Sequence, residues 1–293
     1  MRRNRWLSAS LFALAAGLAI TVLLGPLVTG VVHYRVSELM LSQLKGVDFV
    51  SLIVVAPLCV VTGLLAARGH RAAPALALGP AIYVLYVVTE TIVGPNYLRV
   101  PGNNERLFPL LIALFILAGT IVLIAWNQLE PSNVGASWRR SDRIAGAFFI
   151  ALGAFLVIGR YLPGLADAMS SRPTGTDYLA GPTIYWTIAL EDLGIVIPAM
   201  IAVGIGMWRG RPWVARARFA IAGWGALIPL TVVSMSATMY VDKQPSASWS
   251  SIALMSVMAV AFILPAALCF GPLFRTGRTE DPVHAGVKIS VGG

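Results

Sequence analysis

Apolar residues run along this chain in long blocks that polar residues interrupt at short intervals. Eight blocks stand out, at 7–32, 49–67, 74–94, 107–126, 144–162, 184–208, 217–240 and 249–273. Each is about the 20 residues that a helix needs to cross the hydrocarbon layer of a bilayer. The connections are too short for a separate soluble domain. The pattern therefore predicts an all-α polytopic membrane bundle of eight transmembrane helices over residues 1–274, followed by a polar tail from Arg275 to 293 without apolar periodicity, expected to be disordered. The stretch "LEPSNVGASWRRSDR" reads as a loop in the middle of the chain.

Composition agrees. The chain is 57% hydrophobic and 12% charged, with a mean hydropathy of +0.78, far from the balance of a soluble domain. The basic start "MRRNRW" resembles the opening of a signal peptide, but the apolar block behind it exceeds the ~7–15 residues of a signal-peptide core. It reads as a retained first helix.

Charge sets the orientation. With the N-terminus inside, fifteen of the 22 Lys and Arg fall in cytoplasmic segments and seven outside, as the positive-inside rule requires. Four acids accompany the fifteen and nine the seven, leaving +11 inside and −2 outside, the +9 of the whole chain. The reading is a plasma (inner) membrane protein with both termini cytoplasmic. Its basic pI reports topology and anionic inner-leaflet lipid, and no nucleic-acid partner is implied. Cys59 and Cys269 fall inside spans, where they act as small apolar residues. Gly17 and the row Gly146, Ala147, Ala151, Gly153 and Ala154 suit close helix approach.

The second and sixth blocks share a pattern. "GVDFVSLIVVAPLCVVTGLLAARG" carries Asp48 toward its outer end, Pro57 in the middle and Arg68-Gly69 at the inner end; "LEDLGIVIPAMIAVGIGMWRG" does the same with Asp192, Pro198 and Arg209-Gly210. "LGPAIYVLY" in the third and "LIPLTVVSM" in the seventh continue the parallel. A 4+4 duplication with halves 1–130 and 140–274 would relate them as parallel repeats. Mid-span proline and a terminal Arg-Gly are also common in membrane helices, and each proline kink has a plain packing reading.

Ionisable groups inside a bilayer cost about 2.5–3.5 kcal/mol on insertion scales and normally face a bundle interior or a wet cavity. Glu191 and Asp192 lie two to three turns inside the sixth block. Adjacent helical residues point ~100° apart, so one would face the bundle and the other a neighbouring helix. Tyr83, Tyr86 and Glu90 in the third block share a helical face. An interfacial aromatic belt would also account for the tyrosines. His33, Tyr34, Arg35, Asp48, Asn96, Tyr97, Arg160, Tyr161, Tyr185 and Trp186 gather at the same depth. Ligand-binding or proton-carrying candidates are thus Glu191, Asp192, Glu90, Asp48, Arg160, Tyr83, Tyr86, Tyr185 and His33. Arg160 is the candidate counter-charge for the acids: on that reading Arg160→Ala lowers the thermal unfolding midpoint in detergent, and an unaffected variant would argue against the pairing.

The chain has no G-x-x-x-x-G-K-[ST], no H-E-x-x-H, no C-x-x-C, and three histidines, His33, His70 and His284. Nucleotide hydrolysis, zinc proteolysis and bis-histidine haem ligation are unsupported, no metal site is indicated, and the cofactor is open. The segment from Lys45 to Pro95, with its Gly-x-Asp, mid-span Pro, Ala-x-Arg-Gly and Tyr-rich third helix, resembles a group of bacterial multi-span membrane proteins without an established activity. The resemblance pairs Asp48 with Asp192 as counterparts and implies no mechanism. Three functions fit: binding or translocation of a small or lipophilic ligand through an outer-leaflet polar pocket, intramembrane acid–base catalysis of the terpene-cyclase kind, or a structural subunit whose acids meet a membrane-protein partner. Membrane lipid is the partner common to all three.

Overall fold

The computed structural model describes residues 2–129 and 140–275. The stretch 130–139 within the expected central loop and the tail from 276 lie outside the described residues, together with Glu130, Arg139, Arg278, Glu280, Asp281, His284 and Lys288. Eight helices among the described residues are long and apolar enough to cross a membrane: α1 (Asn4–Leu24), α2 (Glu38–Ala67), α3 (Ala73–Val93), α4 (Asn104–Gln128), α5 (Arg140–Ala168), α6 (Pro182–Trp208), α7 (Val214–Val241) and α8 (Trp249–Phe274). The protein is an all-α, multi-pass membrane bundle.

Two block boundaries need correction. α1 stops at Leu24, eight residues before the apolar block ends. Gly25 and Pro26 break it, Gly30 takes a left-handed φ of 63°, and Val32 folds back to donate to the Leu24 carbonyl at 2.8 Å. α2 begins at Glu38 rather than 49 because the Ser37 side chain caps it, accepting from the Met40 N–H. Its polar residues Ser42 and Lys45 are tied to Asp242 beyond the end of α7. At 30 residues and 1.5 Å per residue, α2 is about 45 Å long, against a hydrocarbon layer of about 30 Å. Asp48 therefore sits ten residues inside the helix instead of near its end.

Within the first four helices α1 packs on α2 and α4, and α3 on α2 and α4; within the last four α5 packs on α6 and α8, and α7 on α6 and α8. Between the two sets α7 lies against α2 and α3, and α3 also touches α6. Backbones approach closely where glycines meet. A Cβ on Gly46 of α2 would stand 2.5 Å from the Met235 nitrogen of α7, and one on Gly79 of α3 would stand 3.0 Å from Gly223 of α7. Gly146 of α5 and Gly204 of α6 face one another, a Cβ on either lying 2.7 Å from the other's carbonyl oxygen. Gly17 packs on Leu114 of α4. Such small-residue contacts are the usual means by which helices associate in lipid.

α2 and α6 share one departure from regular helix. Each contains a π-helical turn, Ser51–Val55 and Asp192–Val196, ending two residues before its proline. The wider turn closes with Ala56 N–H on Ser51 O and Ile197 N–H on Asp192 O. This accommodates a residue that offers no N–H. Both helices then end alike: Gly69 and Gly210 have φ of 69° and 63°, and His70 N–H donates to Leu65 O as Arg211 N–H does to Gly206 O. The left-handed residue after a helix is where glycine avoids a Cβ clash. Every such position differs from its counterpart by 141 residues, as do the starts of the following helices at Ala73 and Val214. Gly63 and Gly204 keep the same spacing, Gly63 against Ser8 and Phe12 of α1 and Gly204 against Gly146 and Ile150 of α5.

Gly46→Ala is expected to force α2 away from α7, at the ~1–3 kcal/mol typical of overpacking, and to lower the thermal unfolding midpoint in detergent. Gly119→Ala, with nothing within 4 Å of the added methyl, should leave the midpoint unchanged or raise it.

Candidate functional site

The face of α3 that carries Tyr83, Tyr86 and Glu90 turns inward. Tyr83 is fully buried and Glu90 is 8% exposed. The Tyr83 hydroxyl lies 3.2 Å from Ser51 Oγ of α2 and accepts from Thr231 Oγ1 of α7 at 3.4 Å. One turn further along α3, Tyr86 donates to Asp192 Oδ1 of α6 at 3.0 Å. The other Asp192 oxygen accepts from the Tyr161 hydroxyl of α5. A mid-span carboxylate is thus held by hydroxyls from two neighbouring helices, which is how a buried acid avoids an unsatisfied oxygen.

Irregular backbone sets this meeting. Asp192 opens the π turn of α6, and Tyr161 closes another in α5, Leu156–Tyr161. An extra residue in a turn shifts the side chains that follow it around the helix, and π turns are frequent at functional sites. Glu191 lies near Thr89 of α3, within the field of Asp192. Its Oε2 is buried with no hydrogen-bond partner among the described residues. The charges acting on Glu90 are those of Glu191, Asp192 and Arg160, so the three carboxylates form one electrostatic cluster.

Arg160 makes no direct ion pair with the acids among the described residues. Its side chain is exposed on the flank of the bundle, with the guanidinium 5.4 Å from the centre of the Tyr161 ring. Among the described residues the ion pairs are Arg35–Glu105, Lys45–Asp242 and Arg218–Asp142. The Arg160 charge also acts on Asp192 and Glu90.

Asp48 belongs to a second polar centre. The Tyr34 hydroxyl lies 3.3 Å from its Oδ2, and a Cβ on Gly25 would come within 3.2 Å of the same oxygen. Burial first, and the Asp48 charge next, push the Tyr34 hydroxyl well above its ordinary value, so it remains a donor. Tyr83 stands between the two centres, within the fields of both Asp48 and Glu90. Ser51, 141 residues before Asp192, opens the π turn of α2, and Ala189 lies 141 residues after Asp48. Relative to the two π turns the acids stand differently: Asp48 comes three residues before Ser51, whereas Asp192 begins its turn.

His33 and Tyr185 stand apart. His33 is exposed in the loop after α1, where its N–H donates to the Asn103 side chain at 2.7 Å. Tyr185 packs edge-on against Tyr178 and Trp186, with ring centroids 5.4 and 5.6 Å away, the amphipathic ring cluster expected at a membrane interface. Among the described residues no group of three His, Cys, Asp or Glu could hold a metal ion.

Sequence reading missed Trp224 of α7. Its ring meets Tyr86 edge-on at 5.7 Å, and its buried Nε1 has no hydrogen-bond partner among the described residues. It also missed the buried ion pair of Arg218 with Asp142 at 2.8 Å, which ties α7 to α5 at the opposite end of the bundle. Both residues stand among basic, loop-like neighbours in the sequence, so only the packing distinguishes them. A cleft of about 390 Å³ also lies between α2 and α7 near Lys45 and Asp242, away from the carboxylate cluster.

Comparison with family models, curated proteins and solved structures returns no match. The site's own chemistry is what bears on function.

Tyr161→Phe is expected to destabilise the protein by about 1–3 kcal/mol, the cost of a buried acceptor left short of its donor, seen as a lower unfolding midpoint in detergent. Tyr185→Phe should leave that midpoint in place.

Proposed function

We propose that this chain is a plasma-membrane protein, both termini cytoplasmic, that binds or translocates a small or lipophilic ligand through a polar pocket reached from the outer leaflet. The observation that carries the reading is Asp192, a mid-span carboxylate bridged to α3 and α5 by Tyr86 and Tyr161 with Glu90 and Glu191 beside it. Carboxylates at that depth are costly and characteristically functional. Glu191 Oε2 and Trp224 Nε1 are a buried acceptor and a buried donor with bonding capacity left over. A ligand carrying both a donor and an acceptor would fill them.

A second reading, acid–base catalysis on a lipophilic substrate, draws on the unequal surroundings of the acids. Asp192 is engaged by two hydroxyls while one Glu191 oxygen is unengaged, and acids in contrasting environments can take opposite proton-transfer roles.

The halves 1–130 and 140–274 are taken as parallel repeats. In support, the π turns, prolines, glycine ends and helix starts recur at one offset, and each set of four helices packs in the same order. The contacts between sets are those a two-fold axis would exchange, α3 with α7 and α2–α7 with α6–α3. On this reading the acid centre occupies one of two equivalent places, with Ser51 at the other.

A cryo-EM map of the protein in native lipid tests these proposals together. Density for a small molecule among Glu90, Glu191 and Trp224 is the expected result. A dry cluster, with Glu191→Gln and Asp192→Asn weakening assembly with another protein, would instead make the acids structural; halves that fail to superpose would remove the duplication. For orientation, Leu98→Cys should react with a membrane-impermeant maleimide in intact cells and Arg71→Cys only after permeabilisation. The reverse labelling would invert the topology.

A further inference from the structure

We propose that the cleft between α2 and α7 holds one phospholipid whose headgroup carries both a phosphate and a primary ammonium. This site is separate from the carboxylate cluster and does not depend on the function proposed for it.

The cleft, about 390 Å³, is within the ~300–1,000 Å³ usual for small-molecule sites. Its polar end is an ion pair, Lys45 Nζ to Asp242 Oδ2 at 2.9 Å. Ser42 Oγ donates to the same oxygen at 2.7 Å. An ammonium has three donors, and among the described residues only Asp242 takes one from Lys45. Asp242 Oδ1 accepts no hydrogen bond among the described residues, whereas Oδ2 takes two. The hydrogen bonds from Lys45 first, and Ser42 next, hold the Asp242 carboxyl below its ordinary value, so it is ionised at neutral pH. The site thus offers a spare cationic donor beside a spare anionic acceptor, the complement of a phosphate and an ammonium joined by a short linker.

The rest of the cleft is mostly apolar, walled by Pro26, Leu27, Phe49, Ala237 and Val241, with Ser234 and Thr238 on the α7 side. Asp242 immediately follows the end of α7, which puts the charges at headgroup level. From there an apolar track leads along the lipid-facing side of α2: Phe49 is 48% and Ile53 55% exposed, and residues four apart share a helix face. An acyl chain attached to a headgroup at Lys45 would lie along it. The track argues for a lipid over a soluble phosphoamine.

The test is native mass spectrometry of the protein released from vesicles of equal phosphatidylethanolamine, phosphatidylcholine and phosphatidylglycerol. Phosphatidylethanolamine should be retained about fivefold over either other lipid, the upper range of one exposed ion pair. Lys45→Met should abolish retention of all three, and Asp242→Asn should reduce phosphatidylethanolamine to the level of phosphatidylcholine. Equal retention of the three lipids, a preference for phosphatidylglycerol, or retention unaffected by Lys45→Met would overturn the proposal. Since the single changes also remove a link between α2 and the end of α7, the exchange Lys45→Asp with Asp242→Lys serves where they fail to fold. It keeps the ion pair but reverses its polarity against the acyl track, so the preference should fall while the unfolding midpoint holds. An unchanged preference in the exchange variant would also overturn the proposal.

Discussion

A helix surrounded by lipid tails gains little by hiding apolar side chains against another helix, and the bundle depends on backbones being able to touch. Gly46 brings α2 onto α7 at Met235, and Gly79 meets Gly223 to bring α3 onto the same helix. α7 is thereby the element against which both sets of four helices are placed. The approach of α3 carries Tyr83 to Ser51 and Thr231. Its neighbouring turn carries Tyr86 to Asp192. The polar interior follows from the glycine contacts.

Within that frame each buried charge is accommodated differently. Arg218 and Asp142 neutralise one another between α7 and α5, both nearly excluded from solvent. Such a pair costs desolvation on both sides, and removing one member would strand the other. Asp48 rests on a single tyrosine hydroxyl and a glycine that leaves it room. Asp192 takes two hydroxyls from different helices, while Glu191 beside it keeps one oxygen unbonded. A structural ion pair has no reason to leave such an acceptor open. That contrast is why the functional proposal rests on the α3–α5–α6 cluster and not on the pair at the other end.

The π turns connect local chemistry to this arrangement. A proline in α2 and in α6 withholds an N–H, and the chain answers with a wider turn just before it. In α6 the first residue of that turn is Asp192; at the matching position in α2 it is Ser51, bonded to Tyr83. Similar backbones therefore present an acid in one place and a neutral hydroxyl in the other, and the surroundings of α3 differ accordingly on its two sides.

Length and hydropathy alone determined the all-α class and the eight spans, because in hydrocarbon a backbone that does not bond internally is too costly to cross. The 3.6-residue period also made the Tyr83, Tyr86 and Glu90 face legible, and the depth of Glu191 and Asp192 marked them out. Helix ends were less legible. Residues 26–32 are mostly apolar yet form a loop after Gly25-Pro26, while Ser42 and Lys45 are polar yet helical because Asp242, two hundred residues away, receives them. Only the tertiary structure decided which acid bonds to what, that Trp224 reaches the cluster, and that Arg218 meets Asp142. Hydrophobic pattern is a property of one helix in lipid and can be read along the chain. Partnership between side chains depends on how separate helices approach and rotate, which their glycines and π turns set in three dimensions.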